Sequence, residues 1–222
     1  DTNKLENFFV NNFNWESKNI SFNSGINSKI LGNLKNINYE AKNTNVYKDD
    51  PTNEIYGTLG LLSELNLQKK LGFASHFLTP KVLLKYSPGS MRKENSGNKL
   101  DPINAFSLNR VDNINNYETG GSIAVGFDYK IKKLNKNLDF SIAQVINNKE
   151  NKKMADITSM NEKLSDIVGS VKYNLNEKTD IKYNFSMDQN YNDFNYSEIS
   201  LNSTYGPLSF NFDYLQENKH IG

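Results

Sequence analysis

Apolar and polar residues alternate strictly along several stretches of this chain, and no other feature limits its possible folds as strongly. Between Ile123 and Ile131 every second residue is apolar, and Ala, Gly, Asp and Lys lie between them. The same period of two recurs over 167–175, 181–187 and 208–214. Successive side chains of a β-strand point to opposite faces, so each stretch has one apolar and one mostly polar face. No stretch has a convincing helical stripe, so the pattern predicts an all-β chain.

The alternation and the turn residues between the stretches predict ten strands. Their approximate bounds are residues 5–14, 18–42, 54–66, 74–87, 119–131, 137–147, 163–175, 179–190, 194–204 and 207–216. In the second strand the apolar phase slips between Leu34 and Ile37, which predicts a β-bulge there.

The predicted connections alternate in length. Short ones lie at 15–17, 68–73, 132–136, 176–178 and 205–206, and the others at 43–53, 88–118, 148–162 and 191–193. Membrane barrels combine tight periplasmic turns with longer external loops, whereas a soluble sandwich has no reason to sort its loops in this way. The alternation therefore favours an antiparallel β-barrel of the outer membrane.

Composition excludes several classes of function. The chain has no cysteine, and its 26 basic and 25 acidic residues nearly cancel, so nothing favours thiolate chemistry or nucleic-acid binding. His76 and His220 are too few for a histidine metal site, and no Ser/His/acid set or carboxylate pair is evident. No apolar run reaches the roughly 18 residues of a membrane helix, while a barrel with a polar lumen tolerates a mean hydropathy of -0.68. We expect neither an enzyme nor a cofactor or metal.

The two faces of the strands yield two sets of candidate residues. Candidates for the lumen are Asp128, Lys130, Ser170, Lys172, Lys182 and Asn184. Candidates for contact with outer-membrane lipid are Val125, Phe127, Val171, Phe185 and Phe210. Two aromatic belts are expected near the strand ends, with Tyr173, Tyr183 and Tyr205 toward one side and Tyr86, Tyr191, Phe194, Tyr196 and Tyr214 toward the other.

Three motifs occur in a recognisable order. Residues 77–92 read FLTPKVLLKYSPGSMR, residues 106–110 read FSLNR, and residues 118–122 read ETGGS before a period-two strand. In this order they resemble the barrel domain of the lipopolysaccharide-assembly family (LptD, also called OstA), and SDIVGSVKYN at 165–174 continues the likeness. The positions that carry the motifs are Leu78, Thr79, Pro80, Arg110, Gly120 and Gly121.

The resemblance implies transport without covalent chemistry. In this family a periplasmic bridge hands up lipopolysaccharide, whose sugar portion passes the polar lumen and whose lipid anchor leaves sideways into the outer leaflet. A plug lipoprotein of the LptE type is the implied partner inside the barrel. The family barrel has roughly two dozen strands and follows a periplasmic jellyroll. We expect residues 1–222 to be one segment of such a barrel, without the jellyroll or the barrel ends, because DTNKLENFFV lacks the layout of a signal peptide.

Two other classes of protein remain open on the sequence. A diffusion porin or plugged nutrient transporter is also an outer-membrane barrel. A porin should carry acidic residues opposite clustered arginines, whereas this chain has only Arg92 and Arg110. A surface adhesin would have polar outer strand faces instead of Val125, Phe127 and Val171.

Overall fold

A computed structural model describes residues 3–45, 47–95 and 97–218, and His220 lies outside them. Within these residues the chain forms one antiparallel sheet of twelve strands. The strands are β1 (Leu5–Glu16), β2 (Ile20–Ser21), β3 (Ile26–Lys42), β4 (Thr52–Leu65), β5 (Leu67–Leu71), β6 (Ala74–Ser87), β7 (Gly120–Lys133), β8 (Lys136–Asn147), β9 (Ile167–Asn176), β10 (Thr179–Met187), β11 (Phe194–Tyr205) and β12 (Leu208–Glu217).

The sheet is a meander whose neighbours follow chain order, β1-β3-β4-β6-β7-β8-β9-β10-β11-β12, with β2 paired to β3 and β5 paired to β6. The all-β prediction is confirmed, and the ten long strands correspond to the ten predicted ones. Within the described residues, β1 and β12 each have a strand on one side only, so the sheet is open. No helix in the described part of the chain is long and apolar enough to cross a membrane.

The first hairpin differs from its prediction. β1 continues through Glu16, and the chain turns at 22–25 instead of 15–17, where the Phe22 amide donates to the Ile26 carbonyl at 2.9 Å. Gly25 occupies this turn with φ of 85°, a conformation that glycine adopts at little cost. The predicted strand 18–42 is therefore divided into β2 and β3.

The predicted bulge between Leu34 and Ile37 is wrong. β3 pairs without interruption with β1 and β4 across this segment. Leu34 is 52% exposed on one face, whereas Ile37 is fully buried on the other. The apolar phase changes because both faces of β3 are apolar here: Ile37 packs with Tyr39, Tyr56 and Tyr117 beneath a long loop.

Other strand ends also differ from their predicted positions. β9 begins at Ile167 instead of 163, and β10 ends at Met187, where the register with β11 shifts. β5 was not predicted, and it shortens the connection before β6 to residues 72–73. The alternation of connection lengths is nevertheless present: turns at 22–25, 72–73, 134–135, 177–178 and 206–207 alternate with connections at 43–51, 88–119, 148–166 and 188–193.

The two longest connections pack on one face of the sheet, which we call the inner face. Strand residues Leu83, Ala124 and Val145 are buried there against Met91 and Met160 of the loops. Each of these loops contains one turn of 3-10 helix, at Asn104–Phe106 and Asp156–Thr158. The core of the structure therefore lies under the loops, at the long-loop end of the inner face.

Aromatic rings cover two glycines on the opposite, outer face. Phe185 lies against Gly169 on the neighbouring strand, and Trp15 lies against Gly32 in the same way. A β-carbon at either glycine would fall about where the ring now is. The absence of a side chain thus lets each ring lie flat on the sheet, a cross-strand arrangement that stabilises strand glycines.

We predict that Gly126→Ala destabilises the sheet by about 1–3 kcal/mol, since overpacking costs this much. A β-carbon at Gly126 would lie 2.2 Å from the Ile142 carbonyl oxygen, which is backbone and cannot move aside. Gly57→Ala is the matched control, because a β-carbon there meets nothing within 4 Å. Urea unfolding of the full-length protein in lipid vesicles measures the free energy of unfolding of both variants. Equal values would contradict the close approach of backbone to Gly126.

Candidate lumenal wall

All six residues predicted to line a lumen lie on the inner face. Asp128 pairs with Ser141, Ser141 with Ser170, and Ser170 with Asn184, so these side chains form one row across four strands. The Ser141 hydroxyl donates to Asp128 at 2.7 Å, and the Ser170 hydroxyl donates to the Asn184 side-chain oxygen at 2.9 Å. Asn184 in turn donates to Glu198 at 2.8 Å. The row is a continuous polar band.

A second row, one pair closer to the short turns, is charged. It runs through Lys130, Asp139, Lys172 and Lys182 on β7 to β10. Lys130 lies 3.1 Å from Asp139. Lys172 and Lys182 are exposed and directly opposite each other, and neither forms an ion pair within 4 Å in the described chain. Like charges directly opposite each other destabilise a sheet. That the six residues line a lumen stays a prediction.

The five residues predicted to contact lipid all lie on the outer face. Val125 and Phe127 on β7 pair with Val82 and Pro80 on β6. The side chains of Val125 and Phe127 point away from the loops. Phe210 on β12 is 56% exposed. Other large apolar side chains exposed on this face are Phe9, Phe13, Leu34, Ile55, Leu59, Leu84, Ile123, Ile146 and Phe212. Soluble monomers rarely expose a contiguous apolar surface of this extent. Contact with lipid stays a prediction for the five.

The predicted belt residues that lie on strands are on the outer face with one exception, and Tyr191 lies in the 188–193 connection. Tyr205 is exposed beside a short turn, and Tyr86 and Tyr214 are exposed toward the long-loop end. Tyr196, however, lies on the inner face opposite Glu217, and its hydroxyl donates to Glu198 at 2.9 Å. Its assignment to a membrane belt was wrong, because the register shift at the start of β11 changes the parity of that strand.

Pro80 lies in the middle of β6. β5 pairs with β6 as far as Leu78, and β4 pairs with it from Lys81 onward, so Pro80 lies opposite the break between the two partner strands. Thr79 bridges this break by donating to the Asn66 side chain at 3.0 Å. A proline lacks the N–H that a continuous ladder needs, so the break explains why β6 tolerates one.

A buried ion cluster fastens the 88–119 loop to the inner face. We call Glu118, Arg110, Lys85 and Ser122 the Glu118 cluster. The Arg110 Nε donates to Glu118 at 2.8 Å, and a second Arg110 nitrogen donates to the same carboxylate and, at 2.8 Å, to Ser122. The Lys85 Nζ lies 2.7 Å from Glu118, and the three charged side chains are at most 5% exposed. The cluster thus connects the loop to both β6 and β7.

Burial by itself raises the pKa of a carboxyl group, but the two cations outweigh this effect at Glu118. The Arg110 guanidinium and the Lys85 ammonium lower the pKa of Glu118 from 4.5 to about 2. A carboxyl group whose pKa is lowered on folding stabilises the protein above its unfolded pKa. The stabilisation is therefore complete at neutral pH and is lost as the pH falls from about 4.5 toward 2.

Further contacts hold the loop along its length. Arg92 forms an ion pair with Glu54 on β4. The Lys35 Nζ on β3 donates to the Asn116 carbonyl at 2.9 Å, and the Asn116 side chain donates to Glu94 at 2.5 Å. Burial also raises the pKa of Tyr117, which keeps its phenol neutral. The loop is thereby attached to β3 and β4 in addition to β6 and β7.

The sequence pattern singled out Arg110 and Gly120 but not their structural partners. Lys85 appeared as one polar position of an alternating strand, and Glu118 only as a letter of the ETGGS motif. One signal was available: Arg110 is one of only two arginines, and burial in a long loop requires a carboxylate partner. Gly120 begins β7 with φ of 113°, a region that other residues rarely adopt.

We predict that Glu118→Ala releases the 88–119 loop, because it leaves two buried cations without a counter-ion. Breaking a buried pair in this way costs roughly 3–5 kcal/mol. Hydrogen exchange of the full-length protein should show loss of protection from 88 to 119, with β9–β12 unaffected. Glu150→Ala is the control, since Glu150 is exposed and forms no ion pair within the described residues. Equal protection in both variants would show that the cluster does not anchor the loop.

Comparison with known proteins agrees with this two-faced sheet. No curated protein matches the chain. The LptD family, described as LPS transport system D, matches residues 16–221. Because this match covers nearly the whole chain, the chain belongs to the LptD family and acts in lipopolysaccharide transport and assembly at the outer membrane.

Proposed function

We propose that this chain forms part of the wall of an outer-membrane barrel through which lipopolysaccharide passes to the outer leaflet. The observation that supports this most directly is the division of one sheet into a polar inner face and an exposed apolar outer face. A barrel in lipid needs this division, since its outer residues meet hydrocarbon and its inner residues meet water. The protein moves its substrate and makes or breaks no covalent bond.

The inner face offers groups that suit a sugar chain carrying phosphates. Serine hydroxyls and the Asn184 amide can exchange hydrogen bonds with sugar hydroxyls, as they do with one another in this structure. Lys172 and Lys182 offer exposed positive charge and form no ion pair within 4 Å among the described residues. A wall of many modest contacts suits transit, because a passing chain must be released from each contact.

Strands beyond the described ones would complete the barrel. Within the described residues, β1 and β12 each pair with a strand on one side only. Unpaired backbone groups at such edges cost several kcal/mol each in hydrocarbon. We therefore infer that residues 1–222 are one segment of a larger barrel domain in the cell outer membrane. The short turns would face the periplasm and the bridge that supplies lipopolysaccharide, and the long loops would lie outside.

A plug lipoprotein of the LptE type is the partner that the inner face would accommodate. The loops cover the long-loop end of this face, and residues 99–103 approach Ser141, Ser170 and Lys182 at its middle. The side chains of Lys130, Lys172 and Lys182 near the short turns stay exposed. The uncovered half leaves space for another protein against the wall. A plug there would also prevent free diffusion of small solutes through a wide barrel.

We predict that Phe127→Arg costs roughly 2–4 kcal/mol near the bilayer midplane, because it places a charge in hydrocarbon. Val171→Arg and Phe185→Arg should behave similarly. Lys172→Ala, on the inner face of the strand that carries Val171, should cost far less. Refolding titrations of the full-length protein into lipid vesicles measure these costs. Equal costs on the two faces would contradict the membrane assignment.

We predict that depletion of the protein lowers lipopolysaccharide at the cell surface and leaves it at the inner membrane or in the periplasm. Photo-crosslinkers at Lys130 or Lys172 should capture the plug lipoprotein or the sugar chain in transit, whereas those at Phe127 or Val171 should capture neither. Surface labelling and crosslink mass spectrometry provide the measurements. A diffusion porin would behave differently: solute uptake would fall while surface lipopolysaccharide remained intact, and that result would overturn the proposal.

A further inference from the structure

A shallow apolar groove crosses the outer face near the long-loop end. Ile30, Leu61, Leu84, Ile123 and Ile146 are successive cross-strand partners on β3, β4, β6, β7 and β8, so their side chains form one row. Together with the neighbouring row they line a cavity of about 650 Å³. All five side chains are exposed in the described structure.

The groove is deepened where one row lacks a side chain. Gly121 is the cross-strand partner of Tyr86, which is 62% exposed, and it contributes only backbone to the surface. The backbone N–H of Asn148 donates to the Gly121 carbonyl at 2.9 Å, at the end of the groove that lies nearest the long loops. The apolar channel thus leads along the strands toward the 148–166 loop.

A basic pocket continues the groove at that end. It has a volume of about 810 Å³ and shares Tyr86, Gly121, Asn147 and Asn148 with the groove. Four exposed lysines also line it: Lys149, Lys152, Lys153 and Lys163. None of the four forms an ion pair in the described chain, and Lys153 donates to Ser90 at 2.7 Å. The acidic residues of this pocket are the exposed Glu150 and Glu118, which its own cations neutralise.

We propose that this groove and pocket hold one anionic lipid on the outside of the barrel: the acylated, phosphorylated end of lipopolysaccharide. The aliphatic row receives an acyl chain, and the four lysines bind the phosphates at the membrane surface. The charge complementarity supports this occupant, because unpaired lysines directly beyond an apolar groove match a lipid with charge at one end. The choice of lipopolysaccharide over a phospholipid rests on the proposed function, which places the long loops at the outer leaflet.

The groove lies on the opposite side of the wall from the polar rows, and the basic pocket lies at the rim between the two long loops, where Ser87, Glu118 and Met160 of the inner side also line it. An acyl chain in the groove therefore belongs to lipid already in the membrane. A lipid held there would support the 148–166 loop from outside while the Glu118 cluster holds the 88–119 loop from inside. The site would therefore provide a fixed contact between the barrel and the outer leaflet, to which the barrel delivers lipopolysaccharide.

The test uses the full-length protein with a photo-crosslinker at Ile123, reconstituted in vesicles containing lipopolysaccharide or phosphatidylglycerol. We expect capture of lipopolysaccharide to fall at least about fivefold when Lys149, Lys152, Lys153 and Lys163 are all changed to Gln, since each lysine near an anionic surface contributes about 1 kcal/mol. Changing Lys69, Lys70, Lys133 and Lys136 to Gln removes the same charge at the short-turn end and should leave capture unchanged. A crosslinker at Tyr214, exposed on the outer face of β12, should capture less than Ile123 does.

Several outcomes would overturn the proposal. They are equal capture at Ile123 and Tyr214, capture insensitive to the four loop lysines, equal capture of phosphatidylglycerol, and loss of capture on adding inorganic phosphate alone. Surface lipopolysaccharide, measured in cells that carry the unsubstituted protein, tests the proposed function separately. Normal delivery with no specific capture at Ile123 would reject the lipid site and leave the transport proposal standing.

Discussion

The attraction of the Glu118 carboxylate to Arg110 and Lys85 is the interaction on which the inner side of this wall depends. Glu118 ends the 88–119 loop, Arg110 lies within it, and Lys85 belongs to β6, so one carboxylate fixes a long connection against the strands that flank it. Two cations surround a single anion at almost complete burial, which keeps Glu118 ionised at any physiological pH. Without this attraction the loop would lack its only buried ionic attachment among the described residues.

The fixed loop divides the inner face into two halves. At the long-loop end the strands carry small and apolar residues such as Leu83 and Val145, because loop side chains pack on them. Toward the short turns the same strands carry Asp128, Lys130 and Lys172, because nothing in the described chain covers them there. The inner faces of β7 and β8 therefore change from small and apolar to polar along their length, while the outer faces of the same two strands stay mostly apolar.

This division explains how far the sequence could be interpreted. Period-two alternation predicted all ten long strands, and it placed the six polar and five apolar candidates on opposite faces of the sheet, as the structure has them. Alternation specifies the faces strongly, because a slip of one residue would move every side chain of a strand to the other face. It failed at Ile37, where a loop distant in sequence makes the inner face apolar and imitates a bulge. It failed at Tyr196, because the register shift at the start of β11 changes which face the following residues occupy. It also missed β5, because a strand as short as Leu67–Leu71 is defined by its pairing with β6. The Glu118 cluster joins residues from separate segments, which no local pattern reveals.

The uncompensated lysines relate these features to transport. Opposed lysines such as Lys172 and Lys182 reduce the stability of a sheet, and a purely structural wall would gain by replacing one of them with an acid. The 148–166 loop likewise carries four lysines that no carboxylate pairs with in the described structure. Some cations elsewhere in the molecule are paired, as Lys81 is with Asp128 and Arg92 is with Glu54. In the proposed function, anionic groups of the substrate would supply a partner for these two sets of lysines, on the inner face during passage and on the outer face after it.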